Sequence, residues 1–345
     1  MKLCRVGDIL VSVRAPVGAM NVADRDYCIG RGLAAIRIGG MSPSLAAHLV
    51  SAAAPALRRV AQGTTFEAIS KRDLASLLVQ VPPTDDRAPL TRVLNTLDTT
   101  IRQTEAIIEK LKQVKQGLLH DLLTRGIDAN GELRPPQSDA PHLYKESALG
   151  WIPCDWAASS IGKSCEVHNG LRLPIASEIR GQMLGDYPYY GPTGVLGYIN
   201  QFRINGTFVL IGEDGDHFLK FDSWSMTQLV SGKFNVNNHA HLLSGRDCMT
   251  EWIHIWFRHR DITLFLTRQG AGRFKLNKES LLRLPMPAPP AAEQRTIREA
   301  LGAFDARLER EFDRRAKLLS VKAGLMDDLL TGRVRVTPLL DGASP

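Results

Sequence analysis

The sequence has few cysteines and no long apolar run. Its five cysteines are odd in number, and no two of them have the CxxC spacing of a zinc or redox site. This excludes a disulfide-rich scaffold and predicts ordinary thiols in a reducing compartment. The apolar run at residues 9–13 is too short for a signal peptide, and no stretch approaches the roughly 18 apolar residues of a membrane span. We therefore expect a cytoplasmic protein without membrane association.

Common catalytic signatures are also missing. Residues 157–164, AASSIGKS, end like a phosphate-binding loop but lack its opening glycine, and GPTGVLG at 191–197 is not a dinucleotide-binding GxGxxG. None of the lysines has an acidic residue two positions before it, which removes half of a common nuclease metal site. We expect no catalytic residue, no metal site and no cofactor. A metal cluster of Asp214, Asp216 and His217, which would make the chain a hydrolase, stays open as an alternative.

The charge balance is mildly basic. There are 43 Lys and Arg residues against 36 Asp and Glu residues, a formal net charge of +7. Such an excess suits a polyanionic partner such as nucleic acid, but it is too small to decide the function alone.

An internal repeat organises the chain. Residues 82–124 align without gaps on residues 289–331, an offset of 207, and 14 of these 43 positions are identical. Both copies begin with two prolines and continue with apolar residues spaced alternately three and four apart. A seam of that spacing predicts two long helices, 85–124 and 289–331, that pair as a coiled coil.

Orientation and partners of the two helices follow from this seam. Parallel pairing would require the chain between the helices to run back over the full helix length. The polar stretch 125–150 is typical of a linker, so we favour antiparallel pairing over parallel pairing. Two long helices buried in one ordinary domain are the alternative. The apolar seam residues that we select as candidates for docking protein partners are Leu94, Ile101, Ile108, Leu118, Leu301, Leu308 and Leu325.

A globular segment precedes each helix, so the predicted class is α+β with two mixed α/β domains. The second domain is 151–288, and the first is 1–84, where the strand at residues 8–13 matches the strand at 207–211. This match leaves 151–205 without a counterpart, so the first domain is predicted to be partial. Residues 332–345 form a tail.

The second domain carries side chains suited to reading DNA. Arginine and lysine contact phosphates and guanine, asparagine contacts adenine, and tyrosines on glycine-rich loops offer recognition surfaces. The candidates are Arg172, Tyr190, Lys220, Lys233, Asn237, Asn238, Arg273 and Lys275.

Several motifs resemble those of the specificity subunit of type I restriction-modification systems. The first helix ends LLHDLLTRGI, the second begins PPAAEQRTI and ends GLMDDLLTGRVRV, and the domains contain YPYYGPTGVLGYI and GDILVSVRAPVG. The likeness extends over nearly the whole chain.

The resemblance implies two target-recognition domains, each reading one half of a split site in double-stranded DNA. It also implies that the helices separate these domains and dock methyltransferase subunits, which are expected to be two. Through the methyltransferase subunits, a restriction subunit that is also a translocase would join the complex. It implies no catalysis in this chain. The sequence departs from the family at the incomplete first domain, and at residues 85–87, where Asp-Asp-Arg replaces a usual Glu-Gln pair.

Two other interpretations stay open. The chain could be a truncated specificity fragment that binds the partner subunits but reads only one half-site. It could also be a coiled-coil scaffold that does not bind DNA, in which case its affinity for duplex would not depend on salt.

Overall fold

The computed structural model describes residues 2–60, 68–269 and 273–336, so the end of the predicted tail, 337–345, lies outside the described residues. The chain divides into two compact units. Unit 1 holds the described residues up to Leu111 and those from Arg307 onward, and unit 2 is Lys112–Ala306.

Unit 1 contains short strands and three helices from the first part of the chain. The strands are β1 (Lys2–Cys4), β2 (Ile9–Ser12), β3 (Met20–Val22), β4 (Tyr27–Ile29) and β5 (Leu33–Ile36), and the helices are α1 (Pro43–Val60), α2 (Lys71–Ala75) and α3 (Thr84–Thr124), of which the last continues into unit 2. β2 is the centre of an antiparallel sheet in the order β3-β2-β5. The predicted strand at residues 8–13 is therefore confirmed.

Helix α1 is buried on two sides. Ala46 and Val50 pack with Ile9 of the small sheet, whereas Leu45 and Leu49 pack with Leu90 and other residues of the long helices. Consecutive side chains on a helix point in directions about 100° apart, so adjacent residues of α1 pack into two different cores.

Unit 2 contains most of the strands. They are β6 (Tyr144–Ser147), β7 (Gly150–Pro153), β8 (Ala157–Ser160), β9 (Cys165–Val167), β10 (Leu184–Tyr190), β11 (Val195–Ile199), β12 (Ile204–Gly212), β13 (Thr227–Val236), β14 (Ala240–Gly245), β15 (Thr267–Gln269), β16 (Arg273–Lys275) and β17 (Pro285–Ala288). The helices are α4 (Ile161–Ser164), α5 (Ser177–Gln182), α6 (Thr250–Phe257), α7 (Lys278–Arg283) and α8 (Ala291–Leu330), of which the last continues into unit 1.

A six-stranded sheet forms the body of unit 2. Its order is β11-β10-β13-β12-β14-β9, and only β10 and β13 run parallel. Side chains alternate across the sheet: Val209 and Ile211 of β12 face a core with Trp252 of α6, whereas Leu210 joins Phe234 on the other face. Both faces of this strand are thus buried, which explains its nearly continuous apolar sequence.

The two long helices run antiparallel where they meet in unit 1. Lys322 bonds to Asp98, and Arg315 Nε lies 2.7 Å from Glu105 Oε1, so seven residues forward on α3 correspond to seven residues backward on α8. In unit 2, Lys115 pairs with Asp305. Asp98 and Asp305 occupy the same repeat position, and so do Lys115 and Lys322. Each unit therefore contains one copy of the same ion pair between the helices, which agrees with the predicted antiparallel direction.

A buried ion pair fixes the start of α8. Arg134 donates to both carboxylate oxygens of Glu293, at 2.6 and 3.1 Å, and the backbone nitrogen of Ile127 donates to the same group at 2.7 Å. Arg134 and Glu293 are both buried. The chain leaving α3 is thereby tied to the start of α8.

Residues 85–87, which depart from the family at the start of α3, make contacts in unit 1 that match those at the start of α8. Buried Asp86, which aligns with Glu293, accepts a 2.7 Å hydrogen bond from Arg335 beyond the end of α8. Arg87 aligns with Gln294, and both donate to a proline carbonyl, of Pro82 and Pro289 respectively. The departure from the family pair at 85–87 therefore keeps the same contacts with different side chains.

The predicted linker, 125–150, is folded into unit 2. Besides Arg134 and Ile127, Tyr144 is buried and donates its hydroxyl to the carbonyl of Pro135 at 2.6 Å. β6 also pairs with β7. The prolines and glycines of this stretch mark turns, but its few buried side chains are enough to hold it against the core.

Candidate nucleic-acid interface

A buried tyrosine shapes the surface loop at 173–176. Tyr189, in β10, donates its hydroxyl to the carbonyl of Leu173 at 2.7 Å and accepts from the backbone nitrogen of Ile175 at 3.0 Å. Its ring is fully buried. The loop is therefore held at the edge of the sheet by two hydrogen bonds to one side chain.

A pocket of about 360 Å³ lies beside this loop. It is lined by Pro174, Ile175, Ala176, Arg180, Tyr189, Asn237, Asn238 and His239. The Arg180 guanidinium lies over the Tyr189 ring, 5.2 Å from its centroid, and His239 Nδ1 is 2.8 Å from Asp214 Oδ2. Guanidinium, amide and imidazole groups at one opening can bond to phosphates or to base edges.

An exposed cluster of basic and aromatic groups lies on the same domain. Lys233 Nζ is 4.7 Å from the centroid of Phe202, and the Phe202 and Tyr187 rings are 5.0 Å apart. Lys233 and Phe202 are exposed. An ammonium held over an aromatic ring keeps its positive charge available to an anionic partner.

Two of the predicted DNA contacts converge instead on one carboxylate. Arg172 Nη1 lies 2.7 Å from Glu213 Oε2, and Lys275 Nζ lies 3.6 Å from Glu213 Oε1. Buried His241 lies 4.0 Å from the same carboxylate, and burial lowers the pKa of His241, which favours its neutral form. Because Glu213 offsets their charge, Arg172 and Lys275 are less suited to phosphate contact than the sequence implied.

The remaining predicted contacts divide into exposed and packed side chains. Lys220, Asn238 and Arg273 are exposed. Asn237 is buried, and its Oδ1 accepts from the backbone nitrogen of His239 at 2.9 Å, so it shapes the pocket wall. Tyr190 is half-buried edge-on against Phe234, and burial raises the pKa of its hydroxyl.

Arg180 and Phe202 were missed by the sequence reasoning. Arg180 lies in the short helix α5, and Phe202 lies in the connection before β12, so neither belongs to the glycine-rich loop or to the amide cluster that drew attention. The only available signal was the position of Phe202 shortly before the predicted strand at 207–211, and nothing in the sequence marked Arg180.

The seam residues chosen as candidates for partner docking are turned inward in the structure. Leu94, Ile101, Ile108, Leu301 and Leu308 are buried. Leu118 and Leu325 are half-buried against the cores of unit 2 and unit 1, respectively. Seam positions with the 3-4 spacing face a neighbouring helix, so these side chains pack within the chain.

Other apolar residues of the helices remain exposed. Val114 of α3 is 40% exposed and Val321 of α8 is 42% exposed, and these two valines occupy the same repeat position. Each unit thus offers an exposed valine on its long helix.

The described part of the chain offers neither a metal-binding group nor a membrane-spanning helix. Among the residues that the structure describes, no three His, Cys, Asp or Glu side chains are grouped so as to hold a metal ion. Within the same residues, no helix has the length and apolarity needed to cross a membrane.

Comparison with protein families identifies this architecture. The sequence profile described as "Type I restriction modification DNA specificity domain" matches residues 3–113 and 153–319, most of the chain. The chain belongs to this DNA specificity family. The resemblance seen in the helix ends and domain motifs is thereby confirmed. Specificity subunits of type I restriction-modification systems are non-catalytic and recognise DNA.

Curated relatives carry the same family name. A Haemophilus influenzae protein named as a type I restriction enzyme specificity subunit is 32% identical over 165 residues, which cover 48% of this chain and 39% of that protein. The MjaX specificity subunit of Methanocaldococcus jannaschii is 34% identical over 34% of this chain and 28% of its own length. The MjaVIII specificity subunit of the same organism is 19% identical over 82% of this chain and 68% of its length. This specificity chain thus spans about two fifths or less of the first two relatives.

Solved structures share the fold. The S subunit of a type I restriction-modification system from M. genitalium has a TM-score of 0.60 and 16% identity, covering 95% of this chain and 84% of that one. A chain from a structure describing complex assembly of a type I R-M system has a TM-score of 0.53 and 16% identity. The match covers 96% of this chain and 84% of that one.

Proposed function

We propose that this specificity chain binds double-stranded DNA through unit 2 and supplies sequence choice to a type I restriction-modification complex. The pocket containing Arg180, Asn238 and His239 carries the proposal, because it places a cation and two groups capable of reading bases at one opening. Exposed Lys233, which lies over the ring of Phe202, would contact the phosphate backbone.

In this proposal, Asn238 and Arg180 read base edges, and Lys233, Lys220 and Arg273 position the duplex through phosphates. Positioning contacts contribute affinity for any sequence, whereas base contacts separate the correct site from others. Arg172 and Lys275 act indirectly, because their contacts with Glu213 hold together the strand ends that carry the pocket.

Binding of labelled duplex at rising salt tests these roles. We expect Lys233→Ala to weaken binding to every sequence and to lower the slope of log K against log salt by about one. Asn238→Ala should instead reduce discrimination by roughly 1 to 3 kcal/mol while leaving the slope unchanged. Arg314→Ala, which removes an exposed arginine of α8, is the control. Equal effects of Lys233→Ala and Arg314→Ala would contradict the assignment.

A second candidate function is a fragment that reads one half-site. The largest sheet of unit 1 has three strands and that of unit 2 has six, and residues 151–205 have no matching residues before β2. Selection of duplexes from a random pool distinguishes the two functions, because a full reader enriches two motifs at a fixed gap and a half-site reader enriches one.

The long helices would dock methyltransferase subunits, with a restriction subunit joining through them. The inward orientation of the seam residues moves this role to the exposed faces that carry Val114 and Val321. Because these valines repeat, one on each helix, they support two docking sites of similar structure.

A further inference from the structure

The pocket beside the loop at 173–176 contains an arginine whose charge is not offset by a carboxylate. Arg180 lies in α5 and lines this pocket. Within the part of the chain that the structure describes, its side chain forms no ion pair, and its one hydrogen bond runs from Nη2 to Ser177 Oγ at 3.4 Å. A guanidinium carries five N–H donors, so most of those of Arg180 remain available to a group from outside.

Two other arginines of this region have their donors occupied. Arg172 donates to Glu213 at 2.7 Å and to the carbonyl of Asn238 at 3.1 Å. Arg203 donates to two backbone carbonyls, both at 3.2 Å. These bonds hold the loops around the pocket, and a guanidinium used in this way has fewer donors left for a ligand. Arg180 is therefore the arginine here that is best suited to bind DNA.

The sheet holds Arg180 in place without using its donors. The guanidinium lies over the ring of Tyr189, which pairs across the ladder with Gly197. Cross-strand partners present their side chains to the same face of a sheet, and a Cβ added at position 197 would lie 3.8 Å from Arg180 Nε. Glycine thus leaves the space beside the ring free for the arginine. A side chain already held in its bound position loses less conformational entropy on binding.

A held guanidinium with available donors is suited to guanine. Arginine donates in pairs to N7 and O6 of guanine in the major groove, and this is the commonest specific contact between a side chain and a base. Arginine also contacts phosphates, but exposed Lys233 offers a charge for that role without a pocket around it. Arg180 instead shares its pocket with Asn238 and His239, whose side chains also have donors and acceptors suited to base edges. This combination favours base reading over phosphate contact.

We propose that Arg180 specifies a guanine in the DNA target by donating to its N7 and O6 atoms. The proposal rests on DNA reading by unit 2 and states one base that the target must contain. Tyr189 and Gly197 are positioning residues for this contact, because they lie against Arg180 rather than against the base.

Replacement of single atoms in the DNA tests the contact. Selection from a random duplex pool with the unmodified chain gives the motif, and each guanine of either strand is then replaced in turn by 7-deazaguanine, which has carbon in place of N7. At one position, we expect this replacement to weaken binding about tenfold, because one of two hydrogen bonds is lost and an Arg180 donor is left unpaired. The protein is unchanged in this comparison, so its folding does not affect the result.

Two variants of the chain assign the effect to Arg180. Arg180→Met keeps a long side chain over Tyr189 but removes the donors, so the same replacement in the DNA should change its affinity less than about twofold. Arg283→Met is the matched control, because Arg283 is exposed in α7 and pairs with Glu279, and it should retain the loss of about tenfold.

A motif without guanine on either strand would overturn the proposal, and so would an equal effect of every replacement on the unmodified chain and on Arg180→Met. The second result is expected if Arg180 contacts a phosphate, because 7-deazaguanine leaves the phosphates unchanged. Both results leave DNA reading by unit 2 in place. Absence of any motif would contradict the function proposed for unit 2 and this proposal together.

Discussion

At the scale of single residues, a buried ion pair lies at the start of α8. Glu293 accepts from Arg134 and from the backbone of Ile127, so its carboxylate has partners for both oxygens. A buried carboxylate of this kind is costly to disturb on one side only, because the other charge would be left unpaired.

Replacing Glu293 by Gln should therefore destabilise the protein. We expect Glu293→Gln to lower the free energy of unfolding by about 3 kcal/mol, because Arg134 would remain buried without its counter-charge. The matched control is Glu279→Gln, where an exposed glutamate pairs with Arg283, and a change below about 1 kcal/mol is expected. Urea unfolding measures both variants, and equal losses would show that the buried pair is unimportant.

Histidine burial should make the fold sensitive to acid. Burial, followed by the nearby Arg258, His259 and Lys115, lowers the pKa of His254 to about 4, and only Asp305 opposes this shift. The unfolded chain binds a proton at its ordinary pKa of 6.5, so stability is fully present above that pH and is lost as pH falls toward 4.

The free energy of unfolding should fall between pH 6.5 and 4.5, and we expect His254→Gln to make this fall about 2 to 3 kcal/mol smaller. The measurement is urea unfolding at several pH values, with His120→Gln, a change at an exposed histidine, as the control. A pH dependence unchanged by His254→Gln would mean that this histidine binds its proton over the same pH range in the folded and unfolded chains, and would contradict the lowered pKa.

The sequence identified residue types better than residue roles. Lys220, Asn238 and Arg273 are exposed as predicted for DNA contacts, whereas Arg172 and Lys275 are bound to Glu213, which lies 41 residues beyond Arg172 in the chain. A carboxylate that distant in sequence gives no local signal. The structure therefore decides which basic residues keep an available charge.

At the scale of elements, the repeat predicted the helices closely. The expected limits, 85–124 and 289–331, compare with Thr84–Thr124 and Ala291–Leu330. The 3-4 spacing also predicted which positions are buried, since Leu94, Ile101, Thr104, Ile108 and Leu111 are all buried. Which helix face meets a partner could not be predicted, because the same apolar seam can pair within the chain or with another protein.

The exposed valines provide the test at this scale. We expect Val114→Glu and Val321→Glu each to weaken binding of a methyltransferase subunit about tenfold, because a carboxylate would be buried without a partner in an apolar contact. Gln116→Glu adds the same charge to an exposed site about 200° around the helix from Val114 and should have little effect. Affinity measured by titration of the purified subunit distinguishes them, and full affinity of the double valine variant would exclude this docking face.

At the scale of the whole molecule, the chain combines one unit built around a six-stranded sheet with one smaller unit. The sequence predicts a partial first domain because the strand at residues 8–13 aligns only with the middle of the second domain. It did not predict the pairing of β8 with β17, since these strands lie far apart in sequence.

The central claim is that this chain reads DNA sequence through unit 2. Selection of binding sites from a random duplex pool with the full chain tests it most directly. We predict enrichment of at least one short motif, with the preference at one position relaxed by Asn238→Ala and the motif retained by Arg314→Ala. If the duplexes bound by the unmodified chain show no enriched motif at any salt concentration that permits binding, the claim is contradicted.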